Sequence, residues 1–165
     1  MTSPTQRFTT CLWFDSQGEE AARFYTGIFK NSGIGAIAHT SKEAAAASGQ
    51  PEGSVLTVAF ELDGNSFLAL NGGPVFKFSE AISIVVNCKT QAEVDHYWNH
   101  LSKGGDAKAQ MCGWLKDRFG LSWQIVPTLL TELMSDPDPE KGRKAMAAIL
   151  KMKKIDVEAL RKAAA

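Results

Sequence analysis

The stretch CGWLKDRFGLSWQIVP, from Cys112 to Pro127, combines a thiol, two tryptophans, an Asp–Arg pair and a glutamine, all of which could take part in chemistry. Lys116 and Arg118 follow Cys112 in sequence, and nearby cations lower the pKa of a thiol and favour its reaction as a nucleophile. No histidine lies nearby in sequence to act as its base. Cys112 is therefore a candidate catalytic residue, with a small buried apolar side chain as the alternative interpretation.

Other side chains in the sequence are suited to binding a small molecule. Tryptophans can stack on a flat ligand, neutral polar groups can orient it by hydrogen bonds, and a carboxylate can add charge at the rim. The predicted ligand-binding residues are Trp13, Trp114, Asn71, Ser83, Gln124 and Asp15. Packing in the core is the alternative, because a buried tryptophan needs a hydrogen-bond partner in any fold. Asp117 and Arg118 are instead expected to shape a turn.

The histidines and cysteines give no recognisable metal motif. Cys11, Cys88 and Cys112 form no CxxC pair, which argues against a zinc ribbon or a thioredoxin-type motif. His96 and His100 are four residues apart, a spacing that can bind metal on a helix. The other face of that helix must pack on a sheet, so we interpret the two histidines as solvated surface residues.

Composition narrows the function classes. The chain has 165 residues, 44% of them hydrophobic, and its 18 basic and 18 acidic residues cancel. The total therefore implies no basic face, and we expect neither nucleic acid nor membrane as a partner. No apolar run approaches the roughly 20 residues of a membrane span. The N-terminus MTSPTQRFTT lacks the apolar core of a signal peptide, so we expect a cytoplasmic protein.

The elements that position these residues occur twice along the chain. FTTCLWF reads as a strand, GEEAARFYTGIF as an amphipathic helix, and further strands follow a polar loop, SKEAAAASGQPEGS, with at most one helical turn. AISIVVN, KTQAEVDHYWNHLS, AQMCGWLKD and GLSWQIVP then repeat the order, and Tyr25 aligns with Tyr97. The pattern predicts two βαβββ modules, at residues 7–74 and 79–127.

Residues 128–165 are predicted to form a C-terminal helical extension. TLLTELMSD reads as a short helix, and Pro139 begins a second one with acids first and lysines last, as the helix dipole favours. Its apolar stripe consists of Met146, Ile149, Leu150 and Leu160. This stripe needs a surface to cover, either on this subunit or on a second one.

Two tandem βαβββ modules resemble the vicinal oxygen chelate superfamily of glyoxalases, ring-cleaving dioxygenases and bleomycin-resistance proteins. Within it the chain is similar to the PhnB-like proteins labelled 3-demethylubiquinone 3-methyltransferase. The stretches that carry the similarity are TTCLWFDSQGEEAARFY, FLALNGGP, QAEVDHYW, CGWLKDRFGLSWQIVP and DPDPEKGRKAMAAILKMKKID, so it extends over nearly the whole chain and into the tail. The resemblance implies an α+β fold, with two curved half-barrel sheets around a cup plus C-terminal helices, and a homodimer.

The resemblance also allows a test for a metal site. Metal-using relatives place ligands on the first and last strand of each module, which here correspond to Thr9, to Leu68 or Ala69, to Ala81 and to Gln124. A divalent cation needs several charged or strongly donating ligands, and two alkyl side chains cannot supply them. We therefore expect no metal, no cofactor, and a flat or aromatic small molecule bound in the cup.

Enzymatic activity remains an alternative to binding alone. One route is chemistry at Cys112, and another is the methyl transfer in the family's label. An adenosyl cofactor is usually held by a strand, a Gly-rich turn and a helix. NGGP follows a predicted strand but opens no helix, because Pro74 comes at once. The residues therefore give the methyltransferase activity no support.

Overall fold

The computed structural model describes residues 6–165 and divides into two compact units. One unit ends at Lys77 and the other spans Phe78–Ala165. Each has its own sheet with a helix packed against it, so the predicted α+β class with two modules and C-terminal helices is confirmed. The absence of a signal peptide, predicted partly from residues 1–5, concerns a segment outside the described residues. Within residues 6–165 no helix has the length and apolar character to cross a membrane.

The described part of the first unit contains four strands and two helices. In chain order they are β1 (Thr10–Phe14), α1 (Gly18–Thr26), β2 (Gly33–His39), α2 (Lys42–Ser48), β3 (Val55–Leu62) and β4 (Asn65–Asn71). The strands lie in the order β1-β4-β3-β2. The β1–β4 pair is parallel and the other two pairs are antiparallel. The order is βαβββ, with α2 inserted in the middle connection.

Helix α1 supplies the core of the first unit. Ala21, Ala22 and Tyr25 are buried along one face, at the spacing that an amphipathic helix requires. The Tyr25 ring stacks on Phe60 of β3 at 6.3 Å, and Phe60 stacks on Phe67 of β4 at 5.3 Å. Burying each large apolar side chain stabilises the fold by about 1.5–3 kcal/mol. The face of the sheet that carries Phe60 is therefore the one that α1 covers.

Helix α2 lies where the sequence predicted a loop with at most one helical turn. Ser41 Oγ accepts a hydrogen bond from Ala44 N at 3.2 Å and begins the helix. Gly49, with φ +73°, ends it in the left-handed conformation that favours glycine. The alanines between them have the highest helix propensity of all residues, and this outweighs the polar flanks.

The described part of the second unit begins with a shorter sheet. Its elements are β5 (Ile84–Cys88), α3 (Gln91–Leu101), a 3₁₀ turn (Ala107–Ala109), β6 (Trp114–Lys116), β7 (Ser122–Pro127), α4 (Thr128–Met134), α5 (Pro139–Ile149) and α6 (Val157–Ala164). The strand order is β5-β7-β6, with β5 parallel and β6 antiparallel to β7. Helix α3 packs on β7 through Val94, Trp98 and Leu101, opposite the buried Trp123 and Ile125.

The second module has three strands where the βαβββ pattern predicts four. The strand predicted over AQMCGWLKD forms only at Trp114–Lys116. Cys112 and Gly113 have φ +54° and +83°, and the residues flanking them, Met111 and Trp114, exchange both backbone hydrogen bonds. Two successive residues with positive φ make a tight two-residue turn of the kind that joins hairpin strands. This turn interrupts the strand before β6.

The C-terminal helices form a small apolar core of their own. It consists of Ala145, Ile149, Ile155 and Leu160, flanked by Leu129, Leu130, Leu133 and Met152. Two residues of the predicted stripe, Ile149 and Leu160, are therefore covered by the tail itself. Met146 and Leu150 remain 39% and 62% exposed.

The tail is also joined to the module by hydrogen bonds. Met152 O and Lys153 O accept from the backbone N–H groups of Cys112 and Gly113, each at 2.8 Å. The Gln91 side chain, at the start of α3, accepts from Val157 N at 2.7 Å. The segment between α5 and α6 therefore binds both the Cys112–Gly113 turn and helix α3.

Candidate functional site

Trp13 and Asp15 lie at the end of β1 on the sheet face without a helix. Leu12 and Phe14 are buried, so the alternating residues Cys11 and Trp13 point to the other face. Asp15 is exposed directly after the strand, and its carbonyl oxygen accepts from Gly73 N at 3.1 Å. The predicted shared face of Trp13 and Asp15 therefore lies beside the C-terminal end of β4.

The Trp13 indole lies flat on the two glycines that follow β4. Its Nε1 donates to Gly73 O at 2.9 Å. A Cβ atom on Gly72 would stand 2.1 Å from the indole ring, so no larger residue fits there without moving Trp13. The ring of Phe76 meets the indole edge-on at 4.9 Å. Trp13 can thus offer a ligand ring surface but not its N–H group.

Asn71 makes its hydrogen bonds within the fold. Its Oδ1 accepts from Gly18 N at 2.8 Å, and its Nδ2 donates to Val55 O at 3.0 Å. The residue is only 7% exposed. Asn71 therefore joins β4 to the N-terminus of α1 and to the start of β3, and its predicted contact with a ligand would require these bonds to break.

Three of the predicted ligand-binding residues come together in the second unit. Trp114 on β6 is directly opposite Gln124 on β7. Gln124 Nε2 donates to Ser83 Oγ at 2.8 Å, just before β5 begins. All three side chains are half-buried, on the sheet face opposite the buried Trp123 and Ile125. Ser83, Trp114 and Gln124 are called the Trp114 cluster below.

The face that carries the Trp114 cluster includes residues that the sequence analysis missed. Val85 is opposite Gln124 on β5 and is 47% exposed. Lys116 forms an ion pair with Glu80, and this hydrogen bond lowers the pKa of the Glu80 carboxyl. Ser122 is buried, and its Oγ has no hydrogen-bond partner within residues 6–165. Strand alternation from Gln124 was the signal that could have identified Ser122.

Asp117 is the buried carboxylate of the β6–β7 turn. Its Oδ1 accepts from Phe119 N at 2.8 Å and from Leu121 N at 3.1 Å, and its Oδ2 accepts from Trp123 Nε1 at 2.8 Å. Arg118 lies over the Phe119 ring at 4.9 Å. The prediction that Asp117 shapes the turn is confirmed by these bonds.

The three thiols lie in different surroundings. Cys112 is half-buried in a positive-φ turn whose N–H groups bond to the tail. Partial desolvation raises the pKa of the Cys11 thiol, although the residue lies at the surface, and burial together with the Glu93 charge raises the pKa of Cys88 to about 12. Lys116, the nearest of the cations invoked for Cys112 in sequence, is paired with Glu80. The structure gives Cys112 a backbone role, and its catalytic role stays a prediction.

The positions that the resemblance matches to metal ligands of relatives lie on or just before strands of the two sheets. Alternation along the chain places Thr9 and Cys11 on the helix-free face of the first sheet. Leu68 is paired with Cys11 and lies on the same face, whereas Ala69 is buried on the face that α1 covers. Ala81 is exposed in a turn before β5. Across residues 6–165, no three or more His, Cys, Asp or Glu side chains group closely enough to hold a metal ion.

Known proteins resemble the part of the chain that precedes the tail. A family model described as 3-demethylubiquinone-9 3-methyltransferase matches residues 6–126. The PhnB protein from Bacillus cereus is 30% identical, with a TM-score of 0.64 over 74% of this chain and 99% of its own. Protein PA1353 from Pseudomonas aeruginosa, at 19% identity and TM-score 0.58 over 74% and 98%, shares the fold. None of the curated proteins matches.

The residues that the family model matches determine both how far the resemblance extends and whether the chain belongs to the family. The sequence predicts a resemblance that extends into the tail, but the family model stops at residue 126, before α4 begins. The three C-terminal helices are therefore an addition to the matched region. Since the model covers more than half of the chain, the protein belongs to the 3-demethylubiquinone-9 3-methyltransferase family, the PhnB-like branch of the glyoxalase-type superfamily.

Proposed function

We propose that the protein binds a flat or aromatic small molecule at the Trp114 cluster, on the helix-free face of the second sheet. The observation that carries this proposal is the Ser83–Gln124 hydrogen bond directly beside the half-buried Trp114 ring. An apolar ring surface with a few fixed polar groups is the usual composition of a small-molecule site.

The cluster has hydrogen-bonding capacity left for a ligand. Gln124 uses one N–H group on Ser83, and within residues 6–165 neither Gln124 Oε1 nor the Trp114 indole N–H has a partner. Ser83 Oγ accepts from Gln124, so its own hydrogen remains available. Three donors, on Ser83, Trp114 and Gln124, and one acceptor, Gln124 Oε1, are therefore available at this face, which favours a planar ligand carrying both a carbonyl and a hydroxyl or amino group.

Ligand binding at the Trp114 cluster is proposed to need no metal ion of the kind that the superfamily uses. Of the four positions that hold ligands in metal-using relatives, this chain has alkyl side chains at Leu68 and Ala81. Thr9 and Gln124 are neutral, and neutral ligands alone offset little of the cost of dehydrating a divalent cation. Neutral polar groups of this kind suit hydrogen bonding to an organic ligand instead.

Methyl transfer, the activity in the family's description, is not proposed for this chain. The strand-end glycines Gly72 and Gly73 precede residues 74–83, which contain no helix. The Trp13 ring covers Gly72 so closely that a Cβ atom would not fit between them. The ribose or the amino-acid end of an adenosyl cofactor therefore cannot approach that backbone, and the residues do not fit a cofactor of this type held in the nucleotide-fold manner.

We further propose a cytoplasmic homodimer. The three cysteines are all free thiols, which suits a reducing compartment. Large apolar side chains such as Ile82, Val85 and Leu150 are exposed on the second unit, at 71%, 47% and 62%. Apolar side chains left at a surface are typical of residues that a second subunit covers.

Ligand-observed NMR with planar aromatic probes tests the binding proposal. A panel of naphthoquinones and hydroxybenzoates is screened, and Trp114→Ala and Gln124→Ala are expected to weaken the best binder at least tenfold. Tyr97→Ala removes a half-buried ring from helix α3 in the same unit and serves as the matched control. Equal binding by all three variants would place the site elsewhere. Calorimetric titration with S-adenosylmethionine tests the exclusion of methyl transfer, and we expect it to give no heat of binding.

A further inference from the structure

His96 and His100 lie on one side of helix α3 with their rings in contact. The ring centroids are 4.5 Å apart and the planes are tilted by 44°. Both residues are exposed, and His96 also meets the Tyr97 ring edge-on at 5.0 Å. The opposite face of α3 is fixed to the sheet through the buried Val94 and Trp98. The two histidines are thus exposed to solvent on a helix whose other face is packed on the sheet.

The hydrogen bond of His100 determines which of its nitrogens faces outward. Nδ1 of His100 lies 2.7 Å from the backbone oxygen of His96. A carbonyl oxygen can only accept, so Nδ1 carries the hydrogen and, in the neutral ring, the lone pair is on Nε2. Histidines that bind metals almost always donate their other N–H group to a carbonyl or carboxylate in this way. His100 therefore already has the tautomer of a metal ligand.

We propose that His96 and His100 form a two-histidine site for a divalent transition-metal ion such as nickel or zinc. Imidazole nitrogens prefer these ions, and histidines at positions i and i+4 of a helix reach one metal from the same face. The remaining coordination positions belong to water. Oε2 of the nearby Glu93 carboxylate accepts a hydrogen bond from Lys89 N at 2.6 Å. This site is separate from the Trp114 cluster, which lies on the other side of the second sheet.

Nickel titration calorimetry tests the site directly. The experiment uses the full-length, tag-free protein carrying Cys11→Ser and Cys112→Ser, so that the more accessible thiols do not compete for the ion. One nickel ion per chain is expected to bind. His96→Gln and His100→Gln should each weaken binding at least about tenfold, equivalent to about 1.4 kcal/mol. His39→Gln alters the one histidine outside the pair and should leave the affinity unchanged within about twofold.

A second measurement locates the ion without relying on affinity. Paramagnetic nickel should broaden the backbone amide NMR signals of residues 93–103 before those of α5 and α6. Far-UV circular dichroism of each variant verifies that α3 is intact. Failure to bind nickel at millimolar concentration, an affinity in both single variants as high as in the parent protein, or broadening centred on His39 would each overturn the proposal.

Discussion

The Asp117 carboxylate allows a quantitative test of how the β6–β7 turn is held. Both of its oxygens accept hydrogen bonds, Oδ1 from Phe119 N and Leu121 N and Oδ2 from Trp123 Nε1. The substitution Asp117→Asn keeps the shape of the side chain but replaces one oxygen by an NH₂ group. Whichever way the amide is oriented, an N–H donor then faces another N–H donor at this buried position.

The expected loss follows from the bonds that the substitution removes. A hydrogen bond to a charged group stabilises by about 1.5–3 kcal/mol, and a buried donor left without a partner costs about 1–3 kcal/mol. We therefore expect Asp117→Asn to lower the free energy of unfolding by about 2–5 kcal/mol, a large share of the about 5–15 kcal/mol typical of domains. Urea denaturation followed by circular dichroism measures this change.

Two further variants isolate the Asp117–Trp123 bond. Trp123→Phe removes the indole donor, so Asp117→Asn in that background should cost about 1–3 kcal/mol less than in the natural protein. Asp63→Asn changes an exposed carboxylate in a surface turn and should alter stability by no more than about 0.5 kcal/mol. If Asp117→Asn costs no more than Asp63→Asn, the reasoning from donor and acceptor geometry is refuted.

Three other outcomes are expected. Cys112→Asn should raise the free energy of unfolding, measured by urea denaturation, by about 1 kcal/mol, because asparagine tolerates the +54° φ that strains cysteine; an unchanged free energy of unfolding would contradict the strain. Deleting residues 128–165 should lower the melting temperature and impair dimerisation, measured by light scattering; a truncated dimer that melts unchanged would contradict this. Cys88 should resist iodoacetamide up to about pH 9 while Cys11 reacts, as mass spectrometry can show. The pKa of Cys88 is raised to about 12 in the folded protein. Its contribution to the free energy of unfolding is therefore fully present below the pKa that the thiol has in the unfolded chain, and it is lost as pH rises from that pKa towards 12.

Periodicity along the chain was enough to predict the fold class but not every strand. Helices α1 and α3 follow from their apolar spacing, and the repeat gave the two modules. The strand lost before β6 could not be predicted, because the Cys112–Gly113 turn that interrupts it is held by the carbonyl oxygens of Met152 and Lys153, far along the chain. Those hydrogen bonds exist only after the chain has folded.

Assigning roles to polar residues depended even more on distant contacts. Asn71 looked like a ligand-binding residue, yet its partner Gly18 is 53 positions away in sequence. Ser83 and Gln124 were both predicted, but their hydrogen bond across 41 positions required the parallel pairing of β5 with β7. Alternation along a strand identifies a face, whereas the pairing between strands decides which residues share a site.

The boundary of the family match and the boundary of the folded unit fall at different places in this chain, because backbone hydrogen bonds join the tail to the Cys112–Gly113 turn. The Bacillus cereus relative is covered to 99% of its length by 74% of this chain, and the family model stops at residue 126. Here Met152 and Lys153 complete the hydrogen bonding of a turn some 40 residues earlier. Deleting the tail would leave the Cys112 and Gly113 N–H groups to water, so the family match ends before helices that the second unit uses to hold its own hairpin.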